Sequence, residues 1–223
     1  MQALDIAKSS DNLHEALEIA ENALKRAEEN PESSNMQYSI SNAQTIIAKI
    51  LLVMHKDLNR AFDLVNQAIK NRYFNCKSNK LCGALIVKSG IALALSKIAD
   101  AWGSILAAEK MSDVESTENQ IRYFKALIMV ERGEAFEAKE LFQKCLDYYS
   151  AQIFTCTNEE DTMFLKVEYA DVLNSMGNLL KQVGDYFDAI EFYQSAGTGL
   201  ENTCYLSSII LYDLNYAHYF TTL

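Results

Sequence analysis

The chain has 223 residues, 49% hydrophobic and 22% charged, a balance that builds a packed soluble core and argues against disorder. Its formal net charge of -10 repels phosphate backbones and anionic membrane surfaces, so neither nucleic acid nor a membrane is an expected partner. One proline and eight glycines leave little chemistry for hairpins of strands, while Ala, Leu, Glu, Lys and Gln fill long stretches, which points to helix.

In chain order, apolar periodicity predicts helices at 11–29, 35–55, 57–73, 79–96, 98–111, 117–132, 134–153, 160–183, 185–199 and 204–221. The polar breaks at 30–34, 73–79, 112–116 and 155–159 are short and lack the composition of a linker, so a single domain over 1–223 is expected. Ser34 with Gln37, Thr117 with Gln120, and Asn158 with Asp161 are read as caps that place acceptors over free backbone N–H groups.

One stripe recurs along the chain. The first helix carries Leu13, Ala16, Ala20 and Ala23, and its partner is reduced to Ala3–Ser9. Then come Leu58, Ala61, Val65 and Ala68; Ile98, Ala101, Ile105 and Ala108; and Gly133, Ala138, Phe142 and Cys145. The clearest copy is Tyr186, Ala189, Tyr193 and Ala196, preceded by Leu173, Met176, Gly177 and Leu180, whose small Gly177 allows close approach of the two helices. The alanines at 16, 61, 101, 138 and 189 lie 45, 40, 37 and 51 residues apart, room for two helices and a turn each time. The approximate repeats are 35–73, 79–111, 117–153 and 160–199, with half repeats at both ends. The last segment, Tyr205–Phe220, is apolar almost all round and needs cover on several sides. Tyr205, Ile209, Tyr212, Tyr216, Tyr219 and Phe220 are therefore a candidate end face for a partner, a second copy of the chain, or further repeats.

Ala170–Ala196 resembles the tetratricopeptide repeat, with the best match over 170–201. Gly177, Ala189 and Ala196 take its small positions, and Leu173, Met176, Leu180 and Tyr193 its large ones. Leu173 stands where Trp is usual, and Glu201 where Pro is common. The resemblance implies an all-α, right-handed α-α superhelical solenoid of antiparallel helix pairs, of about ten helices, whose first helices line a groove for peptides or partner helices. Similar stretched repeats occur in large eukaryotic assemblies, including cell-division complexes and separase-like or cohesin-loading subunits. Carried onto this chain, the groove candidates are Asp171, Asn174, Asn178 and Lys181, set on the face opposite Leu173, Met176 and Leu180. The asparagines would bracket a peptide's N–H and C=O groups; the competing reading is a plain solvated helix face. Asn174 stands where co-chaperone members carry Lys, so chaperone tails are not implied as ligands.

No G-x-x-x-x-G-K-[ST], G-x-S-x-G or H-E-x-x-H occurs, and His14, His55 and His218 are scattered, so no catalytic residue, metal or cofactor is expected. Five cysteines without C-x-x-C read as reduced, mostly buried thiols. The basic run Lys70–Lys80 reads first as solvated residues near a helix C-terminus, with contact to an acidic partner or RNA as the alternative, and Trp102 beside Gly103 first as inter-helix packing, with a partner anchor as the alternative. The expected function is a non-enzymatic protein-interaction scaffold or adaptor. The alternative is a structural subunit or regulatory arm of a large complex that acts through its end face. With no signal peptide visible and no run of roughly 20 apolar residues, a cytoplasmic or nuclear location is expected.

Overall fold

The computed structural model describes residues 10–29, 36–75, 78–112 and 114–198. The helices are α1 (Ser10–Glu28), α2 (Met36–Val53), α3 (Leu58–Asn75), α4 (Ser78–Ala94), α5 (Ile98–Glu109), α6 (Glu115–Glu131), α7 (Ala135–Thr155), α8 (Glu159–Val183) and α9 (Tyr186–Thr198). Among the described residues there is no strand, and the all-helical class is observed. The chain divides into two compact units, Met1–Phe124 and Lys125–Leu223, with the boundary inside α6.

In the first unit each of α1 to α5 packs against its neighbours in the chain, and α2 also touches α4. Printed side-chain contacts fix the directions. The Ser89 hydroxyl donates to the Ala101 carbonyl at 3.0 Å and the Cys82 thiol to the Ala108 carbonyl at 3.3 Å, so residues farther from the turn meet residues farther from it, and α4 and α5 are antiparallel. Gln44 Nε2 donates to Gln67 Oε1 at 3.0 Å between α2 and α3. Alternate helices run the same way: Lys56 Nζ lies 3.5 Å from His14 Nε2 and Arg60 Nη2 is 2.6 Å from Glu21 Oε1, which aligns α1 with α3. The core gathers Leu13, Ala16 and Ala20 from α1, Ile47, Ile50 and Leu51 from α2, Ala61 and Val65 from α3, and Ala84 and Ile91 from α4. In the second unit α7 packs on α8 and α8 on α9.

Four hairpins close by one hydrogen-bond scheme. His55, Ser96, Gly133 and Gly184 have φ of 49°, 56°, 77° and 87°. The residue after each donates its N–H five positions back: Lys56 to Leu51 at 3.1 Å, Lys97 to Ala92 at 2.8 Å, Glu134 to Met129 at 2.9 Å and Asp185 to Leu180 at 2.9 Å. The left-handed residue itself donates three positions back, to Leu52, Leu93, Val130 and Lys181. This pair of bonds satisfies carbonyls that a helix end would otherwise leave open. The next helix then starts in fixed register, because the N–H groups of Ala101, Ala138 and Ala189 bond the carbonyls of Lys97, Glu134 and Asp185. The first hairpin differs by one inserted residue, Asp57, itself at φ 45°, whose carbonyl accepts from Ala61.

The register explains the recurring stripe. Ala61, Ala101, Ala138 and Ala189 are all at 0% exposure, as are Val65, Ile105, Phe142 and Tyr193 four residues on and Ala68, Ala108, Cys145 and Ala196 seven residues on. Seven residues before each left-handed residue stands a small buried one: Ala48, Ser89, Ala126 and Gly177. At Gly177 the approach is close enough that a Cβ there would lie 2.6 Å from the Tyr193 ring.

Several expectations shift. Ala23, placed on the buried stripe of the first helix, is exposed, so that stripe ends at Ala20. Thr117 is not a cap, because α6 already begins at Glu115, where the Val114 carbonyl accepts from Glu118 N–H at 3.0 Å. Asn158 is a cap, its side chain accepting from Glu160 N–H at 2.9 Å. Ser34, the Ala3–Ser9 segment and the expected helix 204–221 lie outside the described residues.

Candidate functional site

The grooved-face candidates all lie on α8. This helix is well terminated: Asn158 caps its start, Glu159, Glu160 and Asp161 sit in its first turn, and Lys181 and left-handed Gly184 close it. These charges complement the helix dipole at both ends. Its core stripe is Ala170, Leu173, Met176, Gly177 and Leu180, all buried.

Asp171, Asn174, Asn178 and Lys181 are all half-buried, and the structure divides them by what they touch. The C-terminal two turn toward α9. Asn178 Oδ1 accepts the Tyr193 hydroxyl at 2.8 Å, and Lys181 Nζ stands 5.9 Å from the centre of the Tyr193 ring. Asn178 is thus not a free bracket for a peptide; its acceptor helps hold the tyrosine that fills the space over Gly177. The N-terminal two have a different character. Asn174 Oδ1 is buried and accepts no hydrogen bond. Asp171 has its carboxyl pushed up to about 7, first by burial and then by the charge of Glu168.

Two further residues complete this face. Glu168 Oε2 accepts the Tyr149 hydroxyl of α7 at 3.2 Å. Phe164 lies one turn before Glu168 and is 48% exposed. Phe164, Glu168 and Asp171 are spaced four and three apart, which puts them on one helical face, and that spacing is visible in the sequence. The face therefore presents an accessible aromatic ring, two carboxylates and an unused amide oxygen in succession. Chemically it is a surface of acceptors beside one apolar contact. The candidate end-face residues Tyr205, Ile209, Tyr212, Tyr216, Tyr219 and Phe220 lie outside the described residues.

Elsewhere, Phe136 and Phe187 are 73% and 76% exposed, each three residues after the left-handed glycine of its hairpin. Among the described residues no group of three or more His, Cys, Asp and Glu is placed to hold a metal ion. Cys82, Cys145 and Cys156 are not in disulfides; the first two are buried and Cys156 is half-buried. No helix of the described residues is long and apolar enough to cross a membrane.

No family model matches the chain. No curated protein matches it. Among solved structures it is similar to BtubC (BKLC) from P. vanneervenii, with a TM-score of 0.66 and 15% sequence identity over 92% of this chain and 83% of that one. At that identity the likeness is one of fold.

Proposed function

We propose that the chain is a tetratricopeptide-like helical repeat protein, its hairpins continuing one another in a right-handed superhelix, and that it acts as a non-enzymatic scaffold for a peptide or helical segment of another protein. The hairpin scheme shared by His55, Ser96, Gly133 and Gly184 supports the repeat reading. The observation that carries the functional reading is the orphaned Asn174 Oδ1 on a half-buried polar face. A buried acceptor left unpaired costs about 1–3 kcal/mol, a cost that a bound donor removes. The site of action in this reading is the cytoplasm or nucleus.

A photo-crosslinking residue at exposed Gln182, on the same face of α8, tests it. The expected result is a crosslinked protein that disappears when Asn174→Ala is added, with helicity by circular dichroism unchanged. A crosslinker in place of Phe136 or Phe187 tests the second reading, a subunit that assembles through its ridges, which their exposure favours. Capture from those positions alone refutes binding on α8.

A further inference from the structure

We infer that the N-terminal ends of α7 and α9 form a docking surface for a basic segment of another protein, whose apolar side chains rest on Phe136 and Phe187. The surface is separate from the α8 face; it rests on the reading of these two positions as an assembly ridge and gives that ridge a partner chemistry. Both residues stand at one register position, two before the buried alanine of their hairpin, Ala138 or Ala189. The same position is exposed in the first two hairpins, where Asn59 and Ala99 occupy it, so closing the hairpin does not call for an aromatic ring there. In the second unit both copies carry one, well exposed and on the side of the helix away from the buried stripe. The two are also brought to one end of that unit. α7 and α9 each run antiparallel to α8, because the Tyr149–Glu168 and Asn178–Tyr193 bonds pair residues on either side of short connections. Counting back from those bonds, Phe136 is level with Lys181 and Phe187 with Gly184, within about one helical turn along the axis of α8. Exposed Val183 stands at the same level.

The charge around the rings selects the partner. Each Phe is followed by an exposed carboxylate, Glu137 or Asp188, and has another one turn further along its own face, Glu140 or Glu191. The helix dipole favours acids in the first turn, which accounts for Glu137 and Asp188 but not for Glu140 and Glu191. None of the four is held in an ion pair among the described residues. The cation nearest in sequence, Lys139, is on the other flank of Phe136, and α9 has Ile190 in its place. Arg132, also at this end, pairs with Glu134 at 2.7 Å, and Lys181 faces the Tyr193 ring. A partner rich in carboxylates or phosphates is repelled here, whereas Lys or Arg beside an aromatic or aliphatic residue meets the acids while its neighbour covers a ring. Because the pattern occurs twice, a segment that spans both helix ends gains from each.

The test pans a phage-displayed random dodecapeptide library on the full chain at low salt and measures the selected peptides by fluorescence polarisation. They should carry Lys or Arg beside an aromatic or aliphatic residue and bind at least about tenfold more weakly to Phe136→Ala/Phe187→Ala. They should also weaken in Glu140→Gln/Glu191→Gln and on adding salt. Alanine already stands at this position in the second hairpin, as Ala99, and circular dichroism checks that the variants fold. Peptides that need the two rings but are acidic or uncharged overturn the basic partner and leave the ridge standing. So does a chain that dimerises in sedimentation through Phe136 and Phe187, which makes a second copy the occupant. If no peptide and no crosslink depends on the two rings, the basic partner and the ridge both fall, and peptides that need Asn174 alone then leave only the α8 face.

Discussion

Replacing Asp171 by asparagine removes a proton equilibrium while leaving shape almost unchanged, and its effect on stability follows from the burial and the Glu168 charge that raise its carboxyl. The carboxyl titrates near 3.8 when exposed and near 7 in the fold. The native state therefore holds a proton that the unfolded chain has released, over the window between those two values. Where the native state binds more protons, stability falls as pH rises, so the cost is absent below about 3.8, grows through the window and is complete above about 7. At roughly 1.4 kcal/mol per pH unit the upper limit is about 4 kcal/mol; the accessible surface Asp171 keeps admits water, and about 2 kcal/mol is expected. Urea unfolding of both proteins at pH 4.5 and pH 8 measures it, because the difference between them cancels every titration not coupled to Asp171. Asp171→Asn is expected to be more stable by about 1 kcal/mol at pH 4.5, where the window has just opened, and by about 2 kcal/mol at pH 8. An advantage equal at both pH values, or a wild type that is more stable at pH 8, refutes the reasoning.

Other outcomes follow from packing and turns. Gly177→Ala drives a methyl to 2.6 Å from a fully buried tyrosine ring and should cost about 1–3 kcal/mol in thermal unfolding. Gly103→Ala, with nothing within 4 Å of the added atom, should be neutral or gain up to about 1 kcal/mol in the same experiment. Gly184→Ala should lose about 1 kcal/mol at its φ of 87°, whereas Ser96→Gly should gain a few tenths, and equal signs for the two would contradict the turn argument. Tyr193→Phe removes the bond to Asn178 and should cost about 1 kcal/mol, with the Asn178 side-chain amide shifting in NMR spectra.

Helix positions were legible because alanine and large residues recur at helical spacing, and every described helix falls within a few residues of its expected place. Gly133 and Gly184 announce their turns, whereas His55 and Ser96 adopt the same left-handed conformation with residues that carry no such signal. Asp171 and Asn174 could be placed on a polar face from spacing alone. Their burial could not, since it depends on how much protein surrounds α8. The tie between Asn178 and Tyr193 was hidden for a related reason: its partners stand fifteen residues apart on different helices, and nothing in either residue type requires the pairing.

The shared closure of the hairpins also says where the chain can change length. Left-handed residues recur at intervals of 41, 37 and 51, while the distance from each to its buried alanine stays at five except for the single insertion of Asp57. The unequal spacing thus lies in the joints between hairpins, above all where the long α7 and α8 meet around 155–158, away from the closing bonds. That joint, ahead of the Asn158 cap, is the natural splice point for a foreign loop or tag, and the hairpin tips are the places to leave untouched.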